Sequence, residues 1–216
     1  MVANTSSAQR FVPPPPPLLD GRWRLVRFTR KDAEALVKQG IVPEDASTEL
    51  LDGMIVLKDR SARDQDPTMI GPDHRKVVEK LSNLRKQIDT DHRHVESQQP
   101  LVCSDIQEPE PDFMVLRDRL EDYTDLPTAA DAFCVIEVAD SSYERDSGEK
   151  LIGYARAGVR QYVIINLREN RAEIYTDPNF EAGAYPPPQI VSGEGSLPIA
   201  VGNGETFVVR MTDVLP

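Results

Sequence analysis

Between Phe133 and Asn166 the chain reads FCVIEVADSSYERDSGEKLIGYARAGVRQYVIIN. The run Phe133-Cys134-Val135-Ile136-Glu137-Val138 lacks the polar alternation of a strand with one wet face, so it reads as a strand covered on both sides. It nevertheless carries the carboxylate of Glu137. An unpaired charge in such a place is costly, so it must be met by a cation from the chain, a metal ion or a raised pKa. A second carboxylate, Asp112, lies upstream in the apolar run Pro111-Asp112-Phe113-Met114-Val115-Leu116. Lys150 follows on a predicted helix. Two acids at strand ends together with one Lys can hold a divalent metal ion against a phosphate.

A chain of 216 residues can bury a core without disulfides or structural metals. We expect a Pro-rich flexible tail over residues 1–20, since the run Pro13 to Pro17 favours polyproline II, and a single domain over 21–216. No apolar run is long enough to span a bilayer, and the opening MVANTSSAQR lacks the charged and apolar regions of a signal peptide, so the cytoplasm is the default compartment. Cys103 and Cys134 sit in apolar contexts and read as small buried hydrophobes. The net charge of −11 opposes coating of nucleic acid by bulk attraction, although local basic patches or metal ions can offset it.

Along the chain, Arg22 to Phe28 alternates polar with apolar residues and predicts a half-buried strand. The stretch Arg22 to Lys31 is the most basic of the protein and reads either as a solvated face or as a phosphate-contacting patch. Thr29 is placed to cap a helix running to about Gln39 and ended by Gly40. Asp52-Gly53 between two apolar runs predicts a β-hairpin over 48–57, and Lys58 to Met69 reads as a loop. A helix with Asp73 as N-cap should bury Val77, Leu81, Leu84 and Ile88. Strands are expected around 94–97, 101–106 and 112–117, then at Glu137, at 161–166, at 171–176 and near 206–209, with an acidic loop from Arg119 to Asp131. Asp146-Ser147-Gly148-Glu149 has a capping-box pattern, so a second helix should begin there and stop at Gly158. This order predicts an α/β fold with a central mixed sheet flanked by helices.

If the strands bearing Asp112 and Glu137 are neighbours, both carboxylates can face one cavity and offer hard oxygen ligands to Mg²⁺ or Mn²⁺. A Lys in the first turn of a helix works against the macrodipole, whereas an ammonium near a scissile phosphate has a chemical reason to be there. Plainer readings stand beside this: Glu137 and Lys150 as a partly buried ion pair, Asp112 as a strand end accepting backbone hydrogen bonds, and Asp146 as a cap. His92-Arg93-His94 puts two histidines on one strand face without the further ligand zinc needs. His74, just inside its helix, is a candidate for facing a cleft.

Taken together, four segments resemble the Uma-type restriction endonuclease family of the PD-(D/E)XK nuclease superfamily. They are Glu49-Leu50-Leu51-Asp52-Gly53; Gln98-Gln99-Pro100-Leu101 with Glu108-Pro109-Glu110-Pro111-Asp112; Val135 to Ser142; and Asp146 to Asn166 with Glu149-Lys150 and Tyr154-Ala155-Arg156-Ala157-Gly158. The resemblance implies a restriction-endonuclease-like core with an N-terminal β-hairpin/helix addition, and pairing as homodimers. It implies Asp112 and Glu137 as metal ligands for Mg²⁺ or Mn²⁺, and Glu49 as an additional acid from the first hairpin. Two places after Glu137 stands Ala139 rather than Lys, so Lys150 looks like the relocated Lys. The expected activity is metal-dependent hydrolysis of phosphodiester bonds, with DNA as the nucleic-acid partner and catalytic residues Glu49, Asp112, Glu137 and Lys150. The rivals are a catalytically silent binding or assembly module on the same fold, and a nuclease for RNA.

Overall fold

From Cys134 to Ala139 every residue is buried, and successive side chains enter two different cores. That double burial organises the molecule. The computed structural model describes residues 18–19, 23–24, 26–44, 46–57 and 71–216. Its strands in chain order are β1 (Leu18–Leu19), β2 (Trp23–Arg24), β3 (Thr48–Leu51), β4 (Met54–Leu57), β5 (Arg93–Glu96), β6 (Phe113–Arg117), β7 (Ala132–Ala139), β8 (Gln161–Asn166), β9 (Arg171–Thr176), β10 (Gln189–Ser192), β11 (Ser196–Ala200) and β12 (Thr206–Arg210). The helices are α1 (Arg30–Lys38), α2 (Pro72–Asn83), α3 (Arg85–Ile88), α4 (Tyr143–Arg145), α5 (Leu151–Ala157) and α6 (Met211–Val214).

The central sheet has the order β10-β9-β8-β7-β6-β5. Only β7 and β8 run parallel, joined through α4 and α5, and the other neighbours are antiparallel. The two parallel strands lie at the middle of the sheet, where both faces must be covered, which is why their sequences are continuously apolar. On one face Cys134, Ile136, Val138, Val163 and Ile165 pack with Val77 and Leu81 of α2 and with Leu197 and Ile199 of β11. On the other, Val135, Ala139, Tyr162 and Ile164 pack with Tyr154 of α5. This is the mixed sheet flanked by helices that the sequence predicts. No described helix is long and apolar enough to cross a membrane.

Local signals explain several elements. Thr29 caps α1 through a reciprocal box with Asp32. Asp52 and Gly53, with φ of 49° and 75°, turn the β3–β4 hairpin. A Cβ on Gly53 would lie 2.4 Å from the Arg27 Cβ, so the turn needs glycine for space as well as for its positive φ.

Other expectations are corrected. Of the half-buried strand predicted over Arg22 to Phe28, Trp23–Arg24 form β2, Val26 to Phe28 lie in no strand with Val26 and Phe28 exposed, and Arg22 and Leu25 lie outside the described residues. The stretch 101–106 makes isolated bridges rather than a strand, because its backbone partners are spread over three segments: Pro109, Pro127 and Gln107 accept from Leu101, Val102 and Cys103. Asp73 is not an N-cap. Gly71 holds that position, Pro72 opens the helix, and Asp73 pairs with Lys76. The predicted helix breaks at Leu84 into α2 and α3. The Pro13 to Pro17 run and the loop Lys58 to Met69 lie outside the described residues.

Leu81 is fully buried between α2 and the sheet. Leu81→Ala should cost about 2–5 kcal/mol of stability, measured by urea unfolding. A loss under ~1 kcal/mol would contradict the packing described.

Candidate active site

The sheet register sets the two expected metal ligands side by side. Phe113 pairs with Ile136, so Asp112 stands opposite Glu137 one step beyond the last antiparallel pair. Oδ2 of Asp112 accepts the Val138 amide at 2.9 Å and lies 3.0 Å from Nε2 of His74 on α2. An ionised carboxylate only accepts, so the His74 ring carries a proton on Nε2. Oδ1 of Asp112 has only a 3.5 Å contact from the Gln98 amide among the described residues. Burial opposes the charge of Asp112. The hydrogen bond and charge of His74, the Val138 amide and the field of Lys150 outweigh it and hold the carboxyl below its ordinary value.

Lys150 is buried, and its Nζ lies 2.9 Å from Oε1 of Glu137 and 2.8 Å from Oε1 of Glu49. Glu49 is carried by β3, which docks through Leu50 on the backbone of Glu108 in both directions. The Glu110 amide also donates to Oε1 of Glu49, at 2.7 Å. Tyr154, one turn after Lys150, donates to Oε1 of Glu137 at 2.8 Å. Both donors to Glu137 thus meet the same oxygen, and Oε2 takes no hydrogen bond among the described residues.

Asp146 to Lys150 form a π turn between α4 and α5. Tyr162 donates to the Asp146 carbonyl at 2.9 Å, and Ser142 donates to the Asp146 side chain. Asp146 is therefore not the cap predicted for it. The helix already runs from Tyr143, and the buried Asp146 carboxylate faces Lys150 at 4.0 Å. Lys150 accordingly does not sit in a first helical turn, and the macrodipole argument does not apply to it.

Burial pushes the Glu137 carboxyl up, to about 8; Asp146, Asp112 and Glu49 raise it further, and Lys150 opposes them. Burial also raises Asp146. For Lys150 burial would lower the pKa, but Glu137, Glu49 and Asp146 hold it well above its ordinary value, so the ammonium stays charged.

The structure thus brings Glu49, Glu137 and Lys150 into direct contact and sets Asp112 beside them on hydrogen bonds of its own. Tyr154 was legible only as an apolar helix position, although its spacing of four from Lys150 put it on the same side. His74, a candidate for a cleft, serves Asp112. Arg27 and Arg30 of the basic stretch are tied internally, to Asp52 and Glu108.

A folded-state value of about 8 for Glu137, above the ordinary 4.5, means that the folded chain holds this proton more tightly than the unfolded chain. Its contribution to stability is fully present below pH 4.5 and is lost as pH rises through about 8. Asp112 has the opposite sign: its contribution is lost as pH falls through its lowered value. The melting temperature of the wild type should therefore fall relative to that of Glu137→Gln between about pH 5 and about pH 9. Parallel pH profiles for the two proteins would refute the raised carboxyl.

Comparison with known proteins gives the family and the fold. The family described as "Uma2: Putative restriction endonuclease" matches residues 34–204. No curated protein matches the chain. The crystal structure of a putative nuclease belonging to DUF820 from Anabaena variabilis is similar with a TM-score of 0.63 at 13% identity, over 87% of this chain and 97% of that one. At that identity the likeness shows the fold. The family match spans most of the chain and contains Glu49, Asp112, Glu137 and Lys150, and the protein therefore belongs to the Uma2 family of putative restriction endonucleases.

Proposed function

We propose that this protein is a divalent-metal-dependent nuclease that hydrolyses phosphodiester bonds, with DNA as its substrate. The observation that carries the reading is the placement of Asp112 and Glu137 at adjacent strand ends with the Lys150 ammonium 2.9 Å from Glu137. The donor chemistry fits Mg²⁺ or Mn²⁺. Each acid has one oxygen engaged by strong donors and the other left without one among the described residues. Among the described residues no group of three or more His, Cys, Asp or Glu is placed to hold a metal ion. Two carboxylates with water and substrate phosphate completing the shell is the ordinary arrangement for Mg²⁺.

Asp112 and Glu137 would hold the ion, which when bound supplies a more acidic water and neutralises charge on the phosphate. The chain does the rest. His74 and the Val138 amide fix one oxygen of Asp112 and keep it ionised. Tyr154 and Lys150 fix one oxygen of Glu137. Lys150, charged near neutral pH, stabilises negative charge building on the phosphoryl oxygens. Glu49 holds Lys150 from the hairpin side and keeps its nitrogen at the Glu137 strand.

The reading predicts metal-dependent cleavage of a DNA panel by the wild type, reduced by about 10²-fold or more in Glu137→Gln and in Lys150→Met. Circular dichroism controls for folding. Undiminished cleavage by Glu137→Gln would end the assignment. Cleavage confined to RNA in a parallel panel would keep the site and change the substrate. One observation favours the rival, a silent binding or assembly module. Lys150 is fully engaged by Glu49 and Glu137 in a buried cluster, which can serve as structure alone. That reading predicts no cleavage of either nucleic acid with any divalent ion. Pairing as a homodimer remains part of the proposal, checked by light scattering.

A further inference from the structure

The edge strand β5 carries a second polar pair, which the acid–Lys site does not use. His94 and Glu96 are two residues apart, so they share one face of the sheet, opposite Leu116 and Met114. His94 is only 5% exposed. Its Nδ1 lies 2.9 Å from the carbonyl oxygen of Asp118. A carbonyl only accepts, so Nδ1 donates, and Nε2 carries a lone pair wherever the ring is neutral. The Tyr123 ring meets the imidazole edge-on at 5.5 Å and restrains it. Among the described residues Nε2 has no hydrogen-bond partner. It faces Oε1 of Glu96 at 3.5 Å.

That separation is informative. It is well beyond the roughly 2.7–2.9 Å of a charge-assisted N–H···O bond. Two lone pairs directed at one another repel unless a positive centre, a proton on Nε2 or a metal ion, lies between them. Zn–N and Zn–O bonds of about 2.0–2.2 Å at a tetrahedral angle place the two ligand atoms roughly 3.3–3.6 Å apart. The Nδ1–H bond to a carbonyl is the contact that fixes the ligating tautomer in histidine metal sites. A cavity of about 450 Å³ opens at the pair, and Gln99, Thr124 and Asp125 also line it.

The geometry points to a transition-metal site at the sheet edge, in which Nε2 of His94 and a carboxylate oxygen of Glu96 bind a Zn²⁺-class ion. An imidazole–carboxylate donor set suits Zn²⁺, Ni²⁺ or Co²⁺ over Mg²⁺. The described residues offer no three-residue donor group, so water or an incoming ligand from the cavity fills the remaining positions. Such an open site can take an anionic or nitrogen-bearing small ligand. The two-histidine arrangement that the sequence suggested is not formed: His92 is exposed in a turn before β5, and the partner of His94 is Glu96.

The test is calorimetric titration of the full chain with Zn²⁺, in the wild type, Asp112→Asn, His94→Gln and Glu96→Gln. Asp112→Asn separates this site from the one proposed for Mg²⁺. It should keep one Zn²⁺ site, whereas His94→Gln and Glu96→Gln should each weaken that site by about 10-fold or more. Because His94 is buried, its variant needs a fold-independent companion. In the wild type, Zn²⁺ should shift the Nε2 resonance of His94 in a long-range ¹H–¹⁵N spectrum. Absence of Zn²⁺ binding in Asp112→Asn, undiminished wild-type affinity in the two β5 variants, or an unshifted His94 resonance would overturn the site and leave an ordinary ion pair.

Discussion

A buried ammonium between two carboxylates governs this structure. Lys150 reaches Glu137 on the central strand and Glu49 on the β3–β4 hairpin, and all three side chains are almost wholly removed from water. Glu137 and Glu49 keep the Lys150 ammonium charged against its burial, and Lys150 in turn favours ionisation of Glu137 against burial and the neighbouring acids. The ion cluster therefore ties three separate segments to one point: the hairpin, β7 and the π turn before α5. The hairpin adds backbone bonds to Glu108, and the π turn is fastened by Tyr162 and Ser142. Hydrophobic residues of similar volume often fill such a space at no lower stability, whereas removing one partner of the cluster strands the others as buried charges.

The cluster is also electrostatically unsettled, and that gives it chemical potential. Around Glu137 the acids Asp146, Asp112 and Glu49 act against ionisation while Lys150 acts for it, and burial decides the balance upward. Asp112, a strand away, has the reverse environment and is held ionised. In the proposed function, two neighbouring carboxyls pushed in opposite directions would let the site take up or give up a proton as a cation or a phosphate binds. A divalent ion beside Asp112 and Glu137 would reverse the bias on Glu137.

Much of this was written in the chain. The double burial of β7 and β8 follows from their unbroken apolar runs, and the hairpin that delivers Glu49 follows from Asp52-Gly53. Glu137 announced itself as a charge where none should be, and that anomaly led to Lys150. The failures have physical causes. Asp146 matched a capping box, but Tyr143 to Arg145 had already begun the helix, and Asp146 lies instead in a π turn, held by a tertiary bond from Tyr162 and a local one from Ser142. The alternation of Arg22 to Phe28 suggested a strand, but among the described residues no neighbouring sheet edge covers Val26 or Phe28. The hydrogen bond from Tyr154 to Glu137 and that from His74 to Asp112 depend on packing between distant segments, which no local pattern encodes.

The proposed function requires that Asp112 and Glu137 together form a cation site beside the Lys150 ammonium. Calorimetric titration with Mn²⁺ in the presence of a non-hydrolysable phosphodiester, on the wild type and on Asp112→Asn, addresses it most directly. The account predicts one Mn²⁺ bound by the wild type and loss of that binding in Asp112→Asn, with the folded structure retained. Mn²⁺ binding of equal affinity in both proteins, or none in the wild type, would contradict it.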